Sequence, residues 1–277
     1  MNKKEFNYSK GYTHAGVFHA DEVFSTALCL LINNKWFSYT RGFKPKEVMN
    51  DDSYIVYDIG NGEYDHHSLP RETRESSGIP YAAFGKLWRD FGWTLCNNEN
   101  VWKKIDDTFV SSIDAVDNGY EDSRNELSSY ISSLNPLWDE ESNQDEQFKT
   151  AVKFAVQVLS RTIERANSSE RAISIVTEKL AEMDETTKTV VLDRFVPWQE
   201  VLIPSEAEFI IYPSLRGGVS LQVVPVSTES RDAKHPIPEK YWGGLEKAEG
   251  MTFCHNTGFL ASFDTVEHAI DFVKSIE

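Results

Sequence analysis

Within residues 14–22 the sequence sets two imidazoles, His14 and His19, beside two carboxylates, Asp21 and Glu22. Ionisable groups at that density are costly to hold together away from water, and a cation bound by all of them removes the cost. Three further stretches offer the same chemistry: Asp58, the tripeptide Asp65-His66-His67, and Asp114 with Asp117 in Ile113-Asp114-Ala115-Val116-Asp117-Asn118-Gly119. Imidazole nitrogens and carboxylate oxygens with no thiolate among them suit manganese or magnesium better than structural zinc. Each stretch also has a plainer reading: surface histidines near an acidic helix cap for the first, a solvated loop for residues 65–67, and capping by Asp117 and Asn118.

The elements that must position these groups can be read from the pattern. Residues 11–18 read as a strand feeding a helix built on Val23, Phe24, Ala27, Leu28, Leu30 and Leu31, whose positive amino-terminal end lies beside Asp21 and Glu22. Residues 36–41 and 54–57 read as further strands, the second ending at Asp58 before the turn Ile59-Gly60-Asn61-Gly62. Strands alternating with helices point to a mostly parallel α/β sheet, where ligands gather at the carboxyl ends of strands. Neighbouring side chains point apart, so one of His66 and His67 would ligate while the other faces substrate or a second metal. Residues 81–91, 101–113 and 127–134 read as helices. Two aspartates near the end of the second meet an unfavourable helix dipole, so something positive should compensate them.

Apolar residues from Phe148 to Ile163 recur at helical spacing and mark a long helix that serves as core and connector. Beyond it the pattern turns to strands over 189–192, 208–212, 219–224, 252–255 and 259–263, with Gly217-Gly218 as a hairpin turn, and to a last helix from Asp264 opened by a capping box with Glu267. The expected division is a metal-binding catalytic domain with helical connector over 1–185 and a smaller α+β substrate-binding domain over 186–277.

A chain of 277 residues is long enough for two such cores. Its net charge of −16 argues against a broad basic surface for long nucleic acid, leaving Arg216, Lys234 and Lys240 as cations expected near the substrate side. Cys29, Cys96 and Cys254 are far apart and odd in number, which reads as reduced, buried thiols. Residues 1–10 lack the apolar core of a leader, and no apolar run reaches spanning length, so a soluble, cytoplasmic protein is expected.

Taken in order, the histidine–aspartate stretch, the strand-end aspartate, Asp-His-His and the later aspartate resemble the DHH phosphoesterase superfamily. The flanking residues narrow the likeness. Thr13-His14-x-Gly16-x-Phe18-His19-x-Asp21-Glu22, Asp58-x-Gly60, Tyr64-Asp65-His66-His67, Asp114-Ala115-Val116-Asp117-Asn118-Gly119, Leu134-Asn135-Pro136-x-Trp138, Pro197-Trp198 and His255-x-x-Gly258-Phe259 resemble the melanocyte-proliferating-gene family over nearly the whole chain. Ser68, Gly243, Ala261 and Ser262 depart from residues common in that family.

The resemblance implies a DHH-type amino-terminal domain with a dinuclear, manganese-type site, and RNA exonuclease activity as in eukaryotic relatives. His14, His19 and Asp21 match the first motif, Asp58 the metal-bridging second, His66 and His67 the third, and Asp117 or Asp114 the fourth. Asp58, His66 and His67 are then the expected catalytic residues. Two ions about 3.5 to 4 Å apart would activate water and stabilise the leaving oxygen of an in-line displacement. Asp58 is expected to serve the metals more than the core, so that removing it relieves repulsion in the metal-free protein. Arg216, His255, Asn256 and Gly258 are expected to touch phosphate or base, with a hairpin tip and a core histidine as the plainer roles of Arg216 and His255. The expected function is a metal-dependent phosphodiesterase, a 3′-5′ exonuclease on RNA or short oligonucleotides. A pyrophosphatase-like hydrolase and a non-catalytic, metal-stabilised binding protein are the alternatives, and the oligomeric state stays open.

Overall fold

The structure, a computed structural model, describes residues 3–33, 36–141, 143–230 and 232–276. Met1 and Asn2, at the start of the stretch expected to contain no leader, lie outside the described residues. The chain divides into two units, Met1–Asn167 and Ser168–Glu277.

The first unit is built on strands β1 (Lys10–His14), β2 (Ser38–Gly42) and β3 (Tyr54–Val56), which pair in the order β2-β1-β3, all parallel. The first strand stops at His14, short of the expected residue 18, because the chain turns through Gly16 at φ +90°. Helix α1 (Ala20–Asn33) comes next, with Asp21 and Glu22 in its first turn. Residues 20–29 of α1 are buried without interruption, so this helix is core on every side over its first half.

Helices α2 (Ala83–Phe91), α3 (Glu99–Ile105), α4 (Ser111–Asp117) and α5 (Glu126–Ser133) complete the surround. The single helix expected over 101–113 is α3 and α4 joined by a π-helical segment, Asp106–Val110. A π segment shifts the helical phase of the residues after it relative to a plain α-helix, and here it sets the faces on which Asp114 and Asp117 emerge. Helix α6 (Gln144–Ala181) is longer than its apolar pattern suggested. Its Phe148, Val152, Ala155 and Leu159 join Phe18, Phe24, Phe84 and Trp88 in the core of the first unit. The division between units falls inside this helix.

The second unit holds a five-stranded sheet in the order β4-β5-β6-β8-β7. Its strands are β4 (Thr189–Val191), β5 (Phe209–Pro213), β6 (Val219–Val223), β7 (Met251–Cys254) and β8 (Leu260–Phe263). β4 and β5 are parallel, and the remaining pairs are antiparallel. Gly217 and Gly218, at φ +94° and +63°, make the β5–β6 turn. A short helix α7 (Gln199–Leu202) packs in a small core with Trp198, Val190 and Val176, and α8 (Val266–Ile276) buries Ala269, Phe272 and Val273 against the sheet. This is a mixed α/β protein with one parallel and one mainly antiparallel sheet. Among the described residues no helix is long and apolar enough to cross a membrane. Cys29 and Cys254 are buried and Cys96 half-buried, all as free thiols.

Candidate metal centre

The loop from His14 to His19 is fixed from two sides by residues far away in sequence. Arg41, its side chain buried, donates from Nε to the His14 carbonyl at 3.2 Å and from Nη2 to the Gly16 carbonyl at 2.6 Å. Its guanidinium lies 4.3 Å from the centre of the Phe148 ring. Asn135, just past α5, accepts from the Phe18 N–H at 2.9 Å and donates to the Phe18 carbonyl at 2.8 Å. Glu22 then accepts the His19 N–H with both oxygens at 3.0 Å, which binds the loop to the first turn of α1.

So held, His14 Nε2 lies 3.0 Å from Glu22 Oε1 and 3.2 Å from Asp58 Oδ2. The other Asp58 oxygen, Oδ1, lies 3.1 Å from His66 Nε2. The same His66 nitrogen is 3.1 Å from Asp117 Oδ2 and 3.6 Å from Asp21 Oδ2. Three neighbouring groups of ligand-type atoms result, the last two sharing His66: His14, His19 and Glu22; Asp58, His66 and His67; Asp21, His66 and Asp117. Within each group the atoms lie within 4.8 Å of one another.

Asp58 comes directly after β3 and Tyr57, at φ +56°, a left-handed conformation uncommon outside glycine and asparagine. Asp21 is fully buried, and its two oxygens accept the N–H groups of Ala83 and Phe84 at 3.0 and 2.6 Å. It thereby supplies the amino-terminal cap of α2, whose own N-cap residue, Ala82, has none to offer. His66 Nδ1 lies 3.4 Å from Asn118 Oδ1. His67 turns its Nδ1 to Asp65 Oδ1 at 2.6 Å, with Asp58 Oδ1 3.7 Å away, and its ring is largely exposed. Asp65 also accepts from the Asn61 N–H at 2.6 Å, so it shapes the loop and aims His67.

The electrostatics arise from this crowding. Burial alone would lower His14, yet hydrogen bonds to Asp58 and Glu22 push it up to about 11. His66 is likewise pushed up to about 11, against burial, by Asp117 and Asp58. Burial works to raise Asp58, but the two imidazoles bring it down to about 2. Asp21 is raised well above the usual carboxylate range by burial and by the charges of Asp117 and Asp58. In the metal-free protein the imidazolium protons of His14 and His66 supply the positive charge that these carboxylates require. Asp58 sits between them, so its charge is compensated on both sides, while it still repels the buried carboxylates of Asp21 and Glu22.

The other aspartate of the fourth stretch stands apart. Asp114 is fully buried, 2.8 Å from Arg74 Nη2, and accepts the Gly85 N–H at 3.1 Å. Gly85 is required there, because a Cβ would come within 1.8 Å of Asp114 Oδ2. Arg74 also grips Asp106 in the π segment through two nitrogens, at 2.9 and 2.8 Å. The compensating cations expected for the two aspartates are thus different ones, Arg74 for Asp114 and His66 for Asp117. Arg41 and Arg74 carry no local signal of their roles, whereas Asn135 stands in the motif Leu134-Asn135-Pro136. Glu22 also has a local signal, in its place three residues after His19 and in the first turn of α1.

His14, His19, Asp58, His66, His67 and Asp117 line one cleft of about 1010 Å³ in the first unit, together with Arg71, Asn118, Ser128, Ser129 and Ser132. In the second unit His255 and Asn256 line a cleft of about 510 Å³ with Lys247, whereas Arg216 stands on the β5–β6 turn. Gly258 is buried, and a Cβ there would come within 2.0 Å of the Trp242 indole nitrogen, so its close neighbour is Trp242. Lys234 is withdrawn from any substrate: its ammonium donates to the carbonyls of Leu202, Ser205 and Ala207 at 3.0, 2.5 and 3.1 Å. Lys240 lies 3.9 Å from Glu246.

Residues 11–276 match the family model MYG1_exonuc, described as an uncharacterised protein family, UPF0160. The chain is 28% identical to MYG1 exonuclease of Mus musculus, an alignment covering 95% of this chain and 83% of the mouse protein. It is 27% identical to a MYG1 protein of Chlamydia pneumoniae over 90% of each chain, and 24% identical to a MYG1 protein of Saccharomyces cerevisiae over 95% of this chain and 94% of the yeast one. No solved structure matches it. With a family model spanning all but its two ends, the chain belongs to the MYG1 family, the melanocyte-proliferating-gene family that its motifs resemble.

Proposed function

We propose that this protein is a metal-dependent phosphodiesterase of the DHH type, an exonuclease that removes nucleotides from the 3′ end of RNA or short oligonucleotides. Residues 1–185 form its catalytic part and 186–277 its substrate-binding part. Relatives bear the name exonuclease. The observation that carries the reading is Asp58, whose two oxygens meet two different imidazoles at the junction of the ligand-type groups.

The donor set fits a pair of hard or borderline divalent ions, Mn²⁺ or Mg²⁺: oxygens and imidazole nitrogens only, with the buried carboxylates Asp21 and Glu22 in need of positive charge. His14, His19 and Glu22 would hold one ion and Asp21, His66 and Asp117 the other, with Asp58 common to both. When bound, such ions supply Lewis-acid stabilisation of phosphoryl oxygens and a water that ionises near neutral pH. Asn118 keeps the His66 ring in place through Nδ1. Asp65 holds His67 through Nδ1, which leaves Nε2 to face the substrate and move a proton to the leaving oxygen. Asp114 is a positioning residue, tied to Arg74, and ligates nothing. Free thiols at Cys29, Cys96 and Cys254 support a reducing, cytoplasmic setting.

The test is turnover by the full chain, with manganese, of a single-stranded oligonucleotide labelled at its 5′ end, a dinucleotide and pyrophosphate. Stepwise shortening of the oligonucleotide is the expected result. Turnover of pyrophosphate alone would establish the anhydride hydrolase instead, and manganese binding without turnover would leave a binding protein.

A further inference from the structure

The cleft that gathers the carboxylates has one side chain of permanent positive charge among its lining residues, Arg71. It comes from the loop after Asp65-His66-His67, is exposed, and donates from Nη1 to the Asn118 carbonyl at 3.1 Å. Asn118 caps the carboxyl end of α4, where a cation is favoured, and is the residue next to Asp117 in the chain. One nitrogen of the guanidinium is therefore anchored beside the ligand-type cluster. The remaining N–H groups of the planar fork are left for a partner, and a fork of this kind matches two oxygens of one phosphate.

Helix α5 contributes a second, independent feature. Ser128 and Ser132, one helical turn apart, line the same cleft, and the Ser128 hydroxyl is buried without a hydrogen-bond partner among the described residues. A buried hydroxyl left unpaired is costly, and a ligand oxygen in the cleft would satisfy it.

We propose that Arg71 and Ser128 form a phosphate subsite in this cleft, which recognises the phosphate of a nucleotide. The inference rests on the proposed phosphodiesterase reading and adds the group that grips the substrate anion. It also accounts for how an anion enters a cleft walled by Asp58, Asp65 and Asp117: the fixed charge of Arg71 offsets their repulsion without being a metal ligand.

The experiment measures binding of adenosine 5′-monophosphate, uridine 5′-monophosphate and adenosine to the full chain with manganese, by calorimetry, in wild type, Arg71→Gln, Arg71→Lys and Ser128→Ala. Arg71 is exposed, so its variants should fold as wild type does. A charged hydrogen-bonding partner of phosphate is worth a factor of about 10 or more, so Arg71→Gln should weaken both monophosphates by about that factor and leave adenosine and manganese affinities unchanged. Arg71→Lys should recover part of the loss. Ser128→Ala should weaken both monophosphates by a smaller factor. Unchanged monophosphate affinity in Arg71→Gln would overturn the subsite, as would wild type that binds adenosine as tightly as its monophosphate. The same preparations, assayed for hydrolysis, separate the two ideas. Arg71-dependent binding without turnover of any substrate would keep the subsite and reject the phosphodiesterase, and turnover indifferent to Arg71 would do the reverse.

Discussion

Replacing Asp58 with asparagine removes one charge at the point where the whole site converges. Asparagine is nearly the same size and tolerates the φ of +56° that this position demands, so the backbone turn should survive. The carboxylate is 4% exposed and lies 3.2 and 3.1 Å from the His14 and His66 nitrogens, which together hold it down to about 2. Against an ordinary aspartate near 3.9, that depression corresponds to about 2 kcal/mol of stability in the metal-free protein. The sign comes from linkage: a depressed folded-state value gives stability that is present above about pH 4 and is lost as pH falls towards 2. Chelated Asp58→Asn should therefore unfold in urea with about 2 kcal/mol less stability than chelated wild type at pH 7, and with about half that deficit at pH 3. With manganese restored, hydrolysis should fall by at least about a hundredfold, since the carboxylate proposed to serve both ions is gone. Activity within tenfold of wild type at saturating manganese would refute the shared role. Equal stability of the two chelated proteins at pH 7 would refute the electrostatic account of the site.

Chelation should inactivate the protein reversibly, and manganese should restore more activity than zinc because the ligand set lacks thiolate; equal or better recovery with zinc would contradict this. His14 and His66 carry protons at neutral pH in the metal-free protein, and burial raises Asp21 as well, so manganese binding should expel at least about two protons and tighten as pH rises from 7 to 9. Calorimetry in buffers of differing ionisation enthalpy measures the release, and none at pH 7 would show that the imidazoles were already neutral. Asn135→Ala strips both hydrogen bonds from the buried Phe18 backbone and should cost about 2 kcal/mol in urea unfolding while weakening manganese binding; unchanged metal affinity would mean that the loop holds itself. With a net charge of −16 and Lys234 occupied by carbonyls, few phosphates can be gripped outside the cleft. The slope of log kcat/KM against log salt should then be shallow, at about 0.7 for each phosphate neutralised, with no gain for longer strands; a steep slope favouring twenty-nucleotide strands would reveal a basic track.

The amino-acid sequence alone determined which chemistry was present and roughly where the elements lay. Two imidazoles and two carboxylates in residues 14–22 marked the metal-type stretch because their types and spacing are local facts. The β-rich run ending at Asp58 and the turn after it were likewise written in short-range pattern. What the tertiary structure decided was which of these groups meet. Asp21 spends both oxygens on amides of α2, 62 and 63 residues away, and Asn135 clasps Phe18 across 117. No periodicity encodes such contacts, since they depend on how the parallel strands bring distant loops to one edge. The same holds for the exchange between Glu22 and Asp114. Both are buried acids near another acid in sequence, but Glu22 lies against His14, whereas the π segment turns Asp114 towards Arg74 and leaves Asp117 for His66. Helical phase, set by packing over the residues before it, decided which carboxylate faces the cleft.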